Sequence, residues 1–220
     1  MDVNKTIIYT LELNKDQRNA AEKAVNLMID LKNHKYSVLF PMLAKGTDGD
    51  LVEREEKAHP LLESAFKYIY PSDEVVHDDD YQTFVWLAKE LANTYKSTGL
   101  TTLVMNPYQA HALNRAVDLL MRLKINQPKE LIWHLIDLGD NDFCERRDCA
   151  EHYLSGAFKQ IYPTWESAAK DKEWHTLYNM HQVLRYAFYK NEHPSSKGVD
   201  SYPPTSYSGE LLPVLSYTTA

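Results

Sequence analysis

Ala65-Phe66-Lys67-Tyr68-Ile69-Tyr70-Pro71 returns 92 residues later as Ala157-Phe158-Lys159-Gln160-Ile161-Tyr162-Pro163. Extended towards the N-terminus, the same offset lays Thr10 to Pro71 on Thr102 to Pro163 without a gap. Between residues 7–71 and 99–163, 24 positions are identical. A repeat at fixed period decides architecture before local propensity does. The chain therefore reads as an internal duplication: a first copy over 1–98, a second over 99–190, and a tail over 191–220.

Each copy opens with a short β-branched stretch, Ile7 to Leu13 and Leu100 to Met105, that has the composition and period of a strand. Each stretch ends at an asparagine with glutamine three residues on, Asn14 with Gln17 and Asn106 with Gln109. That spacing is a capping box. Pro107 fits the first helical position, where its missing N–H costs nothing. The stripe Ala20, Ala24, Leu27, Leu31 recurs as Ala112, Ala116, Leu119, Leu123 and predicts a first helix. Leu39 and Leu43, matched by Leu131 and Leu135, mark a second. Acid-rich turns follow, with Asp48 and Asp140 in them. A second capping box, Asp50 with Glu53 and Asp142 with Glu145, is expected to open a third helix ending before the Tyr-Pro pair. A fourth helix is expected over 79–97 and 167–190. The fold class is mostly α with minor β: two strand-plus-four-helix units about a pseudo-two-fold axis. The tail holds Pro203, Pro204 and Pro213 and reads as extended or partly disordered, with Tyr202, Tyr207, Leu211 and Leu212 as anchors.

The chain has 220 residues, 44% hydrophobic and 25% charged, with net charge −7. That suits one large domain or two small ones with a real core. The surplus acid lies in the first copy and the tail, which argues against direct nucleic-acid binding, since that needs a basic face. Cys144 and Cys149 read as free thiols of a reducing compartment. No apolar run suits a signal peptide or a membrane span, so a cytoplasmic protein is expected.

Polar residues kept in both copies and not explained as caps or turns include Arg54/Arg146, Lys32/Lys124, Lys67/Lys159 and Tyr70/Tyr162. Arg54 and Arg146 read first as ion-pairing residues across the bundle. They read alternatively as phosphate contacts of a protein that sequesters a nucleotide signal. An Arg-x4-His spacing occurs as Arg54 to His59 and as Arg147 to His152. It resembles the motif of HEPN-type ribonucleases, in which arginine stabilises developing phosphate charge and histidine moves a proton. The histidines are one residue out of register between copies: His59 overlays Glu151, and His152 overlays Pro60. No histidine recurs, no zinc spacing forms and no phosphate-binding glycine loop exists, so neither a metal nor a cofactor is expected. Asp78, Asp79 and Asp80 form the sharpest acidic cluster and are candidate contacts for a basic partner.

Leu177 to Tyr186, then Asn191-Glu192-His193-Pro194, then Gly209-Glu210-Leu211-Leu212-Pro213, resemble the C-terminal end of small accessory proteins of tailed bacteriophages. Thr102 to Ala110 is similar to the strand, cap and helix start of such proteins. The resemblance implies an accessory protein acting in a host cytoplasm, with host takeover or defence inhibition as its class. The leading expectation is a non-catalytic protein that binds and inhibits or redirects a host protein, such as a basic nucleic-acid or defence enzyme. The ribonuclease and the nucleotide-sequestering protein stand as alternatives, and oligomerisation is left open.

Overall fold

The computed structural model describes residues 7–46, 48–72, 74–75, 77–93, 99–136, 141–163, 171–192 and 202–219. In chain order the elements are β1 (Ile7–Leu13), α1 (Lys15–Lys32), a 3-10 turn (Tyr36–Val38), α2 (Leu39–Leu43), α3 (Asp48–Ile69) and α4 (Asp79–Asn93). They continue as β2 (Thr101–Met105), α5 (Pro107–Lys124), α6 (Glu130–Leu135), α7 (Phe143–Ile161), α8 (Lys172–Glu192), a 3-10 turn (Tyr207–Gly209) and β3 (Val214–Thr219). The protein is mostly α with one small sheet of order β2-β1-β3. No helix among the described residues is long and apolar enough to cross a membrane.

Local chemistry starts α1 and α5 in the same way. Asn14 Oδ1 accepts from the Gln17 N–H at 3.0 Å, and Gln17 Oε1 accepts from the Asn14 N–H at 2.9 Å. Asn106 and Gln109 repeat both bonds at 2.9 Å. Each pair satisfies donors that a helix start leaves open. The ends match too. The Lys35 N–H reaches the Asp30 carbonyl and the His34 N–H that of Leu31, while Gln127 reaches Arg122 and Asn126 reaches Leu123. These are Schellman closures, with the left-handed position held by His34 and Asn126, both at φ 59°. Between the ends, Ala20, Ala24, Leu27, Leu31 and their partners Ala112, Ala116, Leu119, Leu123 are all buried.

The expected second capping box is corrected. α3 begins at Asp48, so Asp50 lies inside its first turn and accepts instead from Arg54 at 2.7 Å. Asp142 does precede α7, but its side chain makes no capping bond. At α3 the arginine one turn on thus takes the aspartate that was expected to cap the helix. α3 also runs on through Pro60 to Ile69. Both third helices stop as expected: Tyr70 and Tyr162 each donate to the phenylalanine carbonyl four residues back, and proline follows. The fourth helices are Asp79–Asn93 and Lys172–Glu192. The expected stretches 94–97 and 167–170, with Asp140, lie outside the described residues.

The chain forms two compact units. The first takes Met1–Asn26, Asp78–Met121 and Ala169–Ala220, and the second takes Leu27–His77 and Arg122–Ala168. Neither unit equals one sequence copy, because each takes segments from both. In the first unit β1 pairs antiparallel with β2, Leu11 opposite Leu103, and with β3 on its other edge. Tyr9, Leu11, Leu13, Leu103 and Met105 point to the buried face. In the second unit α3 and α7 form the main helix pair. Ala58, Leu62, Ala65, Phe66 and Ile69 of one are buried, as are Ala150, Leu154, Ala157, Phe158 and Ile161 of the other. Each such buried leucine or phenylalanine contributes about 1.5–3 kcal/mol.

Candidate functional site

Arg54 sits near the start of α3, is buried, and spends its guanidinium on the end of α7. Nε donates to the Gln160 carbonyl at 2.7 Å and Nη2 to the Ile161 carbonyl at 2.7 Å. Nη1 donates to the Lys45 carbonyl and to Asp50. Arg146 does the same in reverse: Nε donates to the Tyr68 carbonyl at 2.9 Å and Nη2 to the Ile69 carbonyl at 2.7 Å. Each arginine therefore closes the C-terminus of the other copy's helix, where open carbonyls and the helix dipole favour a cation. The partner is helix backbone rather than the expected acid across the bundle. Gly46 makes room for this, since a Cβ there would lie 2.9 Å from Arg54 Nη1.

The two Arg-x4-His pairs are placed differently. His59 is exposed, its ring 5.8 Å from that of Tyr36, while Arg54 points into the helix pair. Arg147 donates from Nε to Asp148 at 2.8 Å, and its guanidinium lies 5.9 Å from the Phe143 ring centre. Asp148 raises its pKa above the ordinary arginine range, mainly through that hydrogen bond. His152 lines an open groove of about 380 Å³ with Leu61, Asp148, Glu151, Ser155, Gly156 and Lys159. Arg147 is not among the lining residues. Beside His152 the groove sets Asp148 and Glu151 against the one cation Lys159, and Asp148 is already paired with Arg147, so the lining offers a phosphate no surplus positive charge.

The acidic cluster is partly spent on structure. Asp78 caps α4 by accepting from the Tyr81 N–H at 2.7 Å. Asp80 receives the Arg115 guanidinium and the Tyr108 hydroxyl, the latter at 3.0 Å. Burial and Asp80 hold the Tyr108 phenol above its ordinary pKa. Asp79 is exposed at the first turn of α4. His77 bonds Asn33 at 3.2 Å.

The sequence reading did not foresee the polar pairs that join the fourth helices to the first. Lys172 meets Asp16 at 2.8 Å, and Lys23 meets Glu173 at 3.0 Å. Moved by the repeat offset, Asp16 becomes Tyr108, Lys172 becomes Asp80 and Lys23 becomes Arg115. The charge reverses from Lys172 to Asp80, stays positive from Lys23 to Arg115 and is lost from Asp16 to Tyr108, but the position is kept, so carrying the overlay past Pro71 at the same offset would have found it. Lys172 holds the Asp16 carboxyl below its ordinary pKa, mainly by direct hydrogen bonding.

The tail is latched to the first unit. The buried Asn179 accepts from the Tyr207 N–H at 2.7 Å and donates to the Tyr207 carbonyl at 3.4 Å. The Tyr207 ring packs edge-on against Trp174 at 5.2 Å and beside His175 at 4.7 Å. Gln17 Nε2 donates to the Leu211 carbonyl at 2.7 Å, and β3 follows. Of the expected anchors Tyr207 packs into the latch and Leu211 lends its carbonyl while its side chain stays exposed; nothing in the repeat marked Asn179, because the residue aligned with it is Leu87.

The outward face of the sheet carries Ile8, Thr10 and Glu12 on β1, Thr102 and Val104 on β2, and Val214, Ser216 and Thr218 on β3. Val104 is 57% and Val214 59% exposed, and Leu211, leading into β3, is 81% exposed. Glu12 is the one ionisable side chain in this set. No protein-family model matches the chain, and neither the curated proteins nor the solved structures yield a match.

Proposed function

We propose that the protein is a non-catalytic, phage-type accessory protein that works in the host cytoplasm by binding, and so inhibiting or redirecting, a host protein. The observation that supports this reading is the outward sheet face. It presents Val104 and Val214 among hydroxyls with a single carboxylate, and Leu211, in the segment leading into β3, is exposed. Apolar side chains gathered on one rigid face mark an interaction surface more often than scattered ones do. The cations that a phosphate-binding reading would use favour this choice from the other side, since Arg54 and Arg146 are engaged with helix carbonyls. Asp78 and Asp79, exposed at the start of α4, supply negative charge that suits a basic partner.

Affinity capture from a bacterial lysate tests the reading, with wild type compared to a Val104→Glu/Val214→Glu variant. One host protein retained by wild type and lost with the variant is the expected result. Equal retention by both, or none by either, removes the proposal. In parallel, RNA cleavage that disappears in His152→Ala would put the nuclease in its place.

A further inference from the structure

Strand β1 is paired on both edges, whereas β2, among the described residues, is paired on one. The two strands are equivalent in sequence and exchange places in their own pairing. Leu11 lies opposite Leu103, its repeat equivalent, and the flanking pairs Tyr9 with Met105 and Leu13 with Thr101 are equivalents of each other. A local two-fold through the Leu11–Leu103 pair therefore carries the seat of β3, beside β1, onto the open edge of β2.

A second observation lies at the same place. Gln17 and Gln109 each use Oε1 in a capping box. Gln17 spends its Nε2 on the Leu211 carbonyl, the point where the tail turns into β3, and is 4% exposed. Among the described residues no hydrogen bond engages Nε2 of Gln109, which is only half-buried. The donor that receives an incoming strand on one side thus stands ready on the other. The edge itself, Thr101 to Met105, carries no charge, proline or glycine. Natural edge strands usually carry such residues to prevent pairing.

We propose that the open edge of β2 is a strand-addition site. It takes an extended, uncharged segment of the partner protein, antiparallel to β2, with one backbone carbonyl held by Gln109 Nε2. The register follows from β3, which pairs Leu215 with Leu11 and Val214 with Glu12. The partner residue in the place of Leu215 faces Leu103, and the one before it faces Val104. The segment needs no counterpart of Tyr207, because α4 offers buried Leu87 where α8 offers Asn179. A partner segment fits better than a second copy. The copy's β3 already occupies its own β1, and pairing β2 with β2 would leave Gln109 idle. This site rests on the protein-binding reading above.

The probe is a fluorescent peptide with the sequence of residues 211–219, titrated into the full-length protein with amide hydrogen exchange as a second readout. Saturable binding is expected, with new protection at Thr101 to Met105 and none at β1. Gln109→Glu keeps the capping acceptor but removes the donor, and should weaken binding about tenfold, the loss of one hydrogen bond. Gln17→Glu should leave the affinity unchanged. No binding overturns the proposal, as does an equal loss in Gln17→Glu, which would mean the peptide displaces β3. Self-association of the protein alone, with new protection at Thr101 to Met105, would assign the edge to a second copy and overturn the partner. A lysate partner captured by Gln109→Glu with undiminished affinity removes this site and leaves the binding function standing. Peptide bound at β2 with no lysate partner does the reverse.

Discussion

Arg54 shows how one side chain can be misjudged in a sequence. An arginine kept in both copies invites a phosphate, yet its donors serve three backbone carbonyls and one aspartate. Arg54→Met would leave the Gln160 and Ile161 carbonyls buried without a donor, at a cost of about 2–4 kcal/mol. Urea unfolding reads this directly, and a change under 0.5 kcal/mol, about the size of a neutral surface substitution, would show that the closure is incidental. The two left-handed helix ends offer a paired comparison. Asn126→Gly should be neutral or stabilising by up to about 1 kcal/mol, because glycine prefers that φ. His34→Gly should gain less, because the imidazole stacks on Tyr70 at 4.2 Å. Thermal unfolding that ranks His34→Gly above Asn126→Gly would contradict the stacking role. Asp16 gives a pH test. Its folded pKa is lowered by Lys172, so its contribution is present above the ordinary aspartate pKa and fades as pH falls through the folded value. An NMR titration should place the Asp16 midpoint below the ordinary range and return it there in Lys172→Met.

At the scale of elements, α3 and α7 pack closely because Gly156 admits Leu61. A Cβ on Gly156 would stand 3.2 Å from Leu61 Cδ1. Gly156→Ala should therefore lose about 1–2 kcal/mol, although alanine is the better helix former. Leu61→Ala in that background should restore part of the loss. Stabilities that simply add in the double variant would show that the two residues do not meet. The strands and first helices were legible in sequence because capping boxes, stripes and Tyr-Pro stops are local signals. The second capping box misled because an aspartate three residues before a glutamate also suits an ion pair with the next arginine, and at Asp50 the packing around Arg54 chose the ion pair.

For the whole molecule, the consequence is that equivalent elements of the two copies need each other. β1 pairs with β2, and α3 with α7. Fragments 1–98 and 99–220 should each unfold without a sharp transition. Mixed, they should recover one, as circular dichroism would read. A fragment that melts cooperatively as a monomer would contradict this. The fold class was open to sequence reasoning because helical periodicity and the repeat offset are written along the chain. The candidate site was not, because its parts lie far apart in sequence. The tail's place as a third strand depends on Gln17 and Asn179, which are 162 residues apart, and on a sheet edge that no local pattern reveals.

The sequence by itself determined the starts of α1 and α5, the Tyr-Pro stops of α3 and α7, and the buried stripes, because each follows from residues within a few turns of one another. Only the tertiary structure decided that each compact unit draws on both copies and that the shared arginines close each other's helices. It also decided that one sheet edge is filled while its equivalent, among the described residues, is unpaired. Those outcomes depend on which distant carbonyls, amides and strand edges meet once the chain has folded, and hydrogen bonding across such distances leaves no period in the sequence.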